Sequence, residues 1–442
     1  MRRNNMLLWV MVILLASTPS FLIASQPNIV LIMADDMGYE CLGANGATSV
    51  YKTPNLDRLA AEGIRFEHAY SQLVCTPSRV QIMTGRYNAR NYTGFGALQP
   101  NEITFGNVMK NAGYKTCVAG KWQLGGGVKG PTNFGFDEYC LWQLTRRPSR
   151  FDDPGLEMNG KEVDYPGEYG PEVITNYLID FMKRNKEEPF FVYYPMVLPH
   201  FPFHKTPDGK KYDKNKTDLD LKSYYFRDMV AYADKMVGKV EQAIVELGLS
   251  ENTLIILTCD NGTDKKVTTR YKGKDIMGGK GTTPNAGTHV PFIANWPGTI
   301  KPGQVSQELV DFSDLLPTLA DLGGGSVPQD RVIDGRSFLP LLKGEPMTPR
   351  DWVYCWYQRD GKRNGSAKVF ARNQTYKLDS SGKFYNVPAD ELEQSPLTPE
   401  GIDAKAQKTR LNLKAVIDKI DLEATNSNDD KAEVETNNQG CW

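Results

Sequence analysis

The sequence predicts an α/β protein in two unequal parts: a large, mostly parallel sheet flanked by helices, then a small C-terminal antiparallel sheet plus a helix. Three observations carry this. Continuous apolar runs of strand length recur between stretches of helical spacing from Asn28 to Cys259, and strands alternating with helices build parallel sheets covered on both faces. Asp35, Lys121, His200 and Asp260 each follow such a run, and ligands gather at the carboxyl ends of strands in open α/β sheets. From Trp352 onward the runs are short and divided by turn residues, the pattern of an antiparallel meander.

The first stretch stands apart. Arg2 and Arg3 precede the apolar run Met6 to Ala16, and the small residues Ser17, Thr18, Ser20, Ala24 and Ser25 follow. This reads as a signal peptide over 1–25, since the run falls short of the roughly 20 apolar residues a spanning helix needs. The expectation is an exported protein, periplasmic or secreted, free of the membrane after cleavage. Asn28 to Ala34 is an unbroken apolar run, as expected of a strand buried on both faces, and Asp35-Asp36-Met37-Gly38 follows it. Two adjacent carboxylates there are costly unless a positive charge neutralises them. Thr53 to Gly63 reads as a helix with Pro near its start and Gly at its end, Phe66 to Tyr70 as a strand, and Ser78 to Met83 as the opening of a helix whose positive end is aimed at Cys75.

A helix around Ile103 to Asn111 leads to the strand before Lys121. Gly125 to Gly135 is loop, and Met158-Asn159-Gly160-Lys161 marks a hairpin turn. Pro171 to Lys186 and Met229 to Leu247 have helical spacing, and Phe190 to Tyr194 and Leu254 to Cys259 are strands. Lys205 to Asp220, with charges of both signs, reads as a solvated loop. A helix is expected over Asp311 to Leu322. Beyond it, strands are expected over Trp352 to Tyr357, Lys368 to Arg372, Thr375 to Leu378 and Lys383 to Asn386, with a helix in Gly401 to Leu422. The resulting division is 1–25 signal peptide, 26–345 large domain, 346–425 small subdomain and 426–442 a polar, disordered tail.

The 442 residues suffice for one large domain and a lesser one, and the formal net charge of -1 argues against nucleic acid or an anionic membrane as partner. An anionic substrate must therefore be held by local cations. Seven cysteines include no C-x-x-C pair, so neither a zinc ribbon nor a thioredoxin-like site is suggested. Export permits disulfides, and no pairing follows from the spacing.

The run Cys75-Thr76-Pro77-Ser78-Arg79, continuing to Met83-Thr84-Gly85-Arg86, resembles the signature of the formylglycine-dependent sulfatases of the alkaline-phosphatase superfamily. The resemblance extends from Asn28 to about Pro388, and it implies a large mixed sheet and a small C-terminal domain. It also implies that a maturation enzyme oxidises Cys75 to an aldehyde, whose hydrate attacks the sulfur of a sulfate ester and then expels sulfate, splitting a hard hydrolysis in two. By the same resemblance Asp35, Asp36, Asp260 and Asn261, with an oxygen of the converted Cys75, ligate a divalent cation. Oxygen ligands suit Ca²⁺ and, less often, Mg²⁺. Arg79 would fix the nucleophile, Lys121 and Lys280 would grip the sulfate oxygens, and His200 would bind sulfate or donate a proton to the leaving alcohol. The implied partners are a sulfated small molecule or glycan and the maturation enzyme.

Two departures from the family pattern concern substrate binding. Gln123 stands where the family commonly has His, and Gln cannot act as a base. His289, in Gly287-Thr288-His289-Val290-Pro291, stands where Arg is common, as a substrate contact or a structural substitute. Trp122, Trp142 and Tyr271 are candidates to stack on sugar rings. Two alternatives compete: a phosphodiesterase or phosphonate hydrolase of the same superfamily, whose two-metal forms carry Asp-His-Gly where this chain has Asp260-Asn261-Gly262, and a sulfated-glycan-binding protein without turnover, motivated by Gln123. Asn261-Gly262-Thr263 also matches a glycosylation sequon, expected to stay unmodified because a metal ligand cannot carry a glycan.

Overall fold

A computed structural model describes residues 26–47, 50–363 and 365–426. The expected signal peptide and, save for Asn426, the expected disordered tail lie outside the described residues. No helix among the described residues is long and apolar enough to cross a membrane.

The strands in chain order are β1 (Asn28–Ala34), β2 (Ile64–Tyr70), β3 (Lys115–Lys121), β4 (Glu138–Trp142), β5 (Gly155–Met158), β6 (Lys161–Asp164), β7 (Phe190–Pro195) and β8 (Thr253–Cys259). They continue with β9 (Thr268–Tyr271), β10 (Lys274–Met277), β11 (Ile293–Asn295), β12 (Gln304–Asp311), β13 (Val353–Tyr357), β14 (Lys368–Arg372), β15 (Tyr376–Asp379) and β16 (Phe384–Asn386). Ten of them form one mixed sheet in the order β12-β2-β11-β8-β1-β7-β3-β4-β5-β6. Its centre, β8-β1-β7-β3-β4, is parallel throughout, and every residue of β1, β7 and β8 is buried. Their continuous apolar character follows from having helices on both faces.

The parallel register brings the carboxyl ends of β1, β3, β7 and β8 to one edge of the sheet. Asp35 N–H donates to Leu198 O (2.9 Å) and Asp260 N–H to Ala34 O (3.0 Å), tying the segments after β1, β7 and β8 together. At the end of β3, Gly120 has φ 134°, and a Cβ there would sit 1.8 Å from Pro195 O. Only glycine lets β3 lie against β7 at that point.

The structure corrects or completes the sequence reading at three points. The helix expected to open at Ser78 begins at Cys75 and runs to Thr84, with every residue buried, because Pro77 is tolerated in a first turn and does not delay it. The helical segment expected over Asp311 to Leu322 runs from Phe312 to Gly323, a 3-10 turn (Phe312–Asp314) leading into the helix Leu315–Gly323. Asp311 instead ends β12, and its side chain accepts from Ser313 N–H at 2.9 Å, the capping behaviour of a short carboxylate. Strand β11 went unforeseen: it has three residues and pairs antiparallel with both β2 and β8, too short for a periodic signal.

The small sheet has the order β13-β14-β15-β16, antiparallel throughout, with the helix Ala404–Asn426 packed on β14 and β15. Val353 of β13 packs against Tyr70 and Leu309 of the large sheet. Cys41, Cys75, Cys117, Cys140, Cys259 and Cys355 are all buried free thiols, so the disulfides that export would permit are not formed among them.

Candidate active site

The convergent strand ends gather three fully buried carboxylates, Asp35, Asp36 and Asp260. Each meets a cation delivered by a different element. Lys121, last residue of β3, places Nζ 2.9 and 2.8 Å from the two Asp35 oxygens. Lys280 Nζ lies 2.6 Å from Asp36 Oδ1. Arg79, one turn into the Cys75 helix, donates from Nη2 to Asp260 Oδ2 at 3.0 Å and from Nη1 to Lys121 O at 2.9 Å. Buried charges at such density persist only when paired.

Cys75 sits inside this network. Its Sγ lies 3.3 Å from Lys121 Nζ and 3.7 Å from Asp35 Oδ1. His200 brings Nε2 to 3.6 Å from Asp36 Oδ2. Ligand atoms of Asp35, Asp36, Cys75 and His200 lie within 4.8 Å of one another. Asn261 donates from Nδ2 to Asp36 Oδ1 at 2.7 Å, while its Oδ1 is buried with no hydrogen-bond partner. An orphaned amide oxygen beside buried carboxylates is what a hard cation would satisfy, so the residues present fit such an ion.

The electrostatics follow from burial and neighbours. Burial would raise Asp35, but the charges of Lys121, His200, Arg79 and Lys280 prevail and hold it well below the usual carboxylate range. Burial pushes Asp36 up against the pull of Lys280. Asp260 is pushed up to about 7 by burial and by the Asp35 charge, and bound positive charge would relieve both. Burial raises the Cys75 thiol to about 12, with Asp260 adding to the effect. Such a thiol holds negligible thiolate at neutral pH, and the thiolate is the nucleophile. Burial lowers His200 well below 6.5, so its imidazole is neutral.

The structure brings together Asp35, Asp36, Cys75, Arg79, Lys121, His200, Lys280, Asp260 and Asn261. Gln123 lies two residues past Lys121, buried and at φ 58°. His289 lies elsewhere: its ring stacks on Tyr39 (3.9 Å between centroids) and Tyr70 (5.1 Å), and Nε2 is 2.8 Å from Glu67 O. The substrate-contact reading of His289 is thereby replaced by the structural one. Trp122 and Trp142 are buried, and Tyr271 is half-buried with its hydroxyl on Asn45 O, so the two tryptophans are not free faces for a sugar. Sequence reasoning passed over Arg150, whose side chain reaches His200 (2.8 Å to Nδ1). The run Arg146-Arg147-Pro148-Ser149-Arg150, in the loop after a strand ending level with Lys121, was the available signal.

The sulfatase family profile matches residues 27–325, and the profile of the N-sulphoglucosamine sulphohydrolase C-terminal region matches residues 282–414. Arylsulfatase A of Homo sapiens is 35% identical over 381 residues, covering 78% of this chain and 73% of that protein. N-acetylgalactosamine-6-sulfatase of Mus musculus is 36% identical over 358 residues, covering 73% and 67%. Among solved structures, Ps i-CgsB superposes with a TM-score of 0.77 at 26% identity, over 90% of this chain and 94% of that one. With a sheet that delivers buried carboxylates and cations around Cys75, and with relatives aligned over most of its length, the chain belongs to the sulfatase family of the alkaline-phosphatase superfamily and is a sulfuric ester hydrolase.

Proposed function

We propose that the chain removes sulfate from a sulfated carbohydrate, using a formylglycine made from Cys75 and a Ca²⁺ ion held by Asp35, Asp36, Asp260 and Asn261. The observation that carries the reading is the state of Cys75. It is the first residue of a fully buried ten-residue helix, 3.3 Å from a lysine ammonium, yet its thiol is held at about 12. As cysteine it is poorly placed to react. As formylglycine it would supply, once hydrated, a hydroxyl nucleophile, and the cation would favour the ionised form of that hydroxyl. Every residue from Cys75 to Thr84 is buried, so the maturation enzyme has to act before folding. Mg²⁺ is the second choice of ion, because the same oxygen donors serve it less often.

The chain's own residues divide the remaining work. Lys121 and Lys280, with the N-terminus of the Cys75 helix, provide positive potential where sulfate oxygens gain charge. Arg79 holds Asp260 and the end of β3 in register with the first turn of that helix. Neutral His200 donates a hydrogen bond to sulfate or to the leaving oxygen, and its low pKa favours this over delivery of a proton from an imidazolium. Gln123 can bind substrate oxygen but cannot take a proton. The split at 26–345 and 346–425 is retained as a division of labour, with the site in the first part.

A carbohydrate substrate is supported by the relatives. One is an N-acetylgalactosamine-6-sulfatase, and Ps i-CgsB has been solved in complex with k-i-k-neocarrahexaose. The test is co-expression of the full chain with a maturation enzyme, peptide mass spectrometry across Cys75, and sulfate release from a panel of sulfated oligosaccharides. The aldehyde and released sulfate are expected together. Full activity with Cys75 unmodified would overturn the mechanism, and two bound zinc ions would favour the phosphodiesterase reading.

A further inference from the structure

Arg150 is 7% exposed, and its charge is handled unlike that of the other cations around the site. Arg79, Lys121 and Lys280 each bond a carboxylate. Among the described residues no carboxylate pairs with Arg150. Its hydrogen bonds run from Nη2 to His200 Nδ1 (2.8 Å) and to Phe201 O. The guanidinium carbon lies 4.4 Å from the centre of the Trp142 ring and 5.2 Å from that of Phe151. Nε and Nη1 carry none of these bonds.

Burying a guanidinium with no carboxylate bonded to it is costly, because the water it gives up is not replaced by an ion pair. Stacking on an indole and a phenyl ring recovers part of that. Burial pushes the Arg150 pKa down against the more distant charges of Asp35 and Asp36. A fold that invests in such a residue beside its reaction centre has a place prepared for an anion.

The position says which anion. Trp142 ends β4 opposite Lys121 in the parallel register, and its Nε1 donates to Pro148 O at 3.0 Å, which folds the loop back so that Arg150 stands at the carboxyl edge of the sheet. His200 separates the two groups: Nε2 faces Asp36 (3.6 Å) and Nδ1 faces Arg150. An anion on Arg150 is therefore not the one beside Cys75 but a neighbour of it. We propose that Arg150 is a specificity-determining residue that binds a second anionic group of the substrate, a carboxylate or a further sulfate, next to the sulfate ester that is cleaved. The inference rests on the sulfate-ester reading above and narrows it to polyanionic glycans.

The test uses the full chain made without a maturation enzyme, which binds without turning over. Calorimetric titration compares three disaccharides with the same reactive sulfate: one otherwise neutral, one with an added carboxylate, one with an added sulfate. The wild type should bind at least one of the doubly charged sugars about 10- to 100-fold more tightly than the neutral one, the range of a hydrogen-bonded charge pair. The tighter of the two identifies the group. Arg150→Met should lose that increment while holding the neutral sugar within about threefold, and Arg150→Lys should keep part of it. Unaltered melting temperatures confirm that both variants fold. No preference in the wild type, or an equal loss for all three sugars in Arg150→Met, overturns the proposal, the second outcome assigning Arg150 to holding His200 alone. Absence of sulfate release from every ester by the matured wild type would overturn the sulfatase mechanism instead, and the binding comparison would still decide Arg150.

Discussion

The small sheet holds the loop that carries Lys280 through Lys368 on Gly281 O, Arg372 on Asn285 and Lys377 on Thr283 O, and the last of these belongs to a buried ion pair. Lys377 of β15 places Nζ 2.6 and 2.8 Å from the carboxylate oxygens of Glu393, and 2.5 Å from Thr283 O, three residues past Lys280. The two side chains are 1% and 4% exposed. Replacing Glu393 by Gln leaves the ammonium buried with a carbonyl, an amide and the Phe370 ring 4.3 Å away. Breaking a buried pair on one side costs about 3–5 kcal/mol, whereas replacing both partners by neutral groups of similar volume is often near neutral. An unfolding entropy of about 2.1 cal/mol/K per residue, over 442 residues, gives about 0.9 kcal/mol/K. Glu393→Gln should thus lower Tm by about 3–5 °C. The double variant Lys377→Met/Glu393→Gln should recover most of it.

The pH dependence supplies a second readout. Burial holds Lys377 down at about 8 against the opposing pull of Glu393, below its ordinary 10.5. Between these values the unfolded chain binds more protons than the folded one, so this group's contribution to stability rises with pH from about 8 to about 10.5, by about 3 kcal/mol at most. Removing the Glu393 charge lowers Lys377 further and opens the window at lower pH, and Lys377→Met abolishes the slope. Scanning calorimetry of the four proteins from pH 7 to 10 measures both effects. Equal melting temperatures for wild type and Glu393→Gln, or equal losses in the single and double variants, would refute the argument.

Other outcomes are expected. Gln123→His should raise or preserve sulfate release in steady-state assays, because a general base contributes on the order of 10²- to 10⁴-fold and His tolerates the positive φ at this position; a drop in kcat would show that the amide itself is needed. His289→Ala removes a ring stacked between Tyr39 and Tyr70, so it should lower stability by about 2 kcal/mol while leaving KM unchanged, and a selective rise in KM would return His289 to the substrate. Ca²⁺ at about 100 times its Kd should stabilise the unmatured chain by about 2.7 kcal/mol, about 3 °C in Tm, and Asp36→Asn should cancel the shift; an unchanged wild-type Tm would remove the ion from the site.

Much of this protein is legible in its sequence. Strands β1, β7 and β8 announce themselves because burial on both faces demands unbroken apolar runs, and the reactive residues that end them can be read from position alone. The four strands of the small sheet are marked by the turns between them. The Cys75 to Arg86 run and the Asp-Asp and Asp-Asn turns point to the chemistry, since buried carboxylates and cations at strand ends have few other uses. Where local pattern is weak, reading along the chain fails. Strand β12, Gln304–Asp311, lies at the edge of its sheet with only Val305, Leu309 and Val310 apolar and a register shift between Ser306 and Leu309, so it shows no period-2 signal. The three residues of β11 are too few to show a period.

Tertiary structure alone decided which side chains meet. His289 stands in the sequence where a substrate contact or a structural substitute is equally readable, and Tyr39 and Tyr70, brought from other segments, enclose it. Trp122 and Trp142 look like sugar platforms until the order β7-β3-β4 buries them. The meaning of Arg150 comes from having Trp142 under its plane, His200 at its end and, among the described residues, no carboxylate bonded to it. Periodicity and spacing report the environment of a residue along its own element. The cost of a charge is set by what surrounds it in space, and strand order in the sheet determines those surroundings.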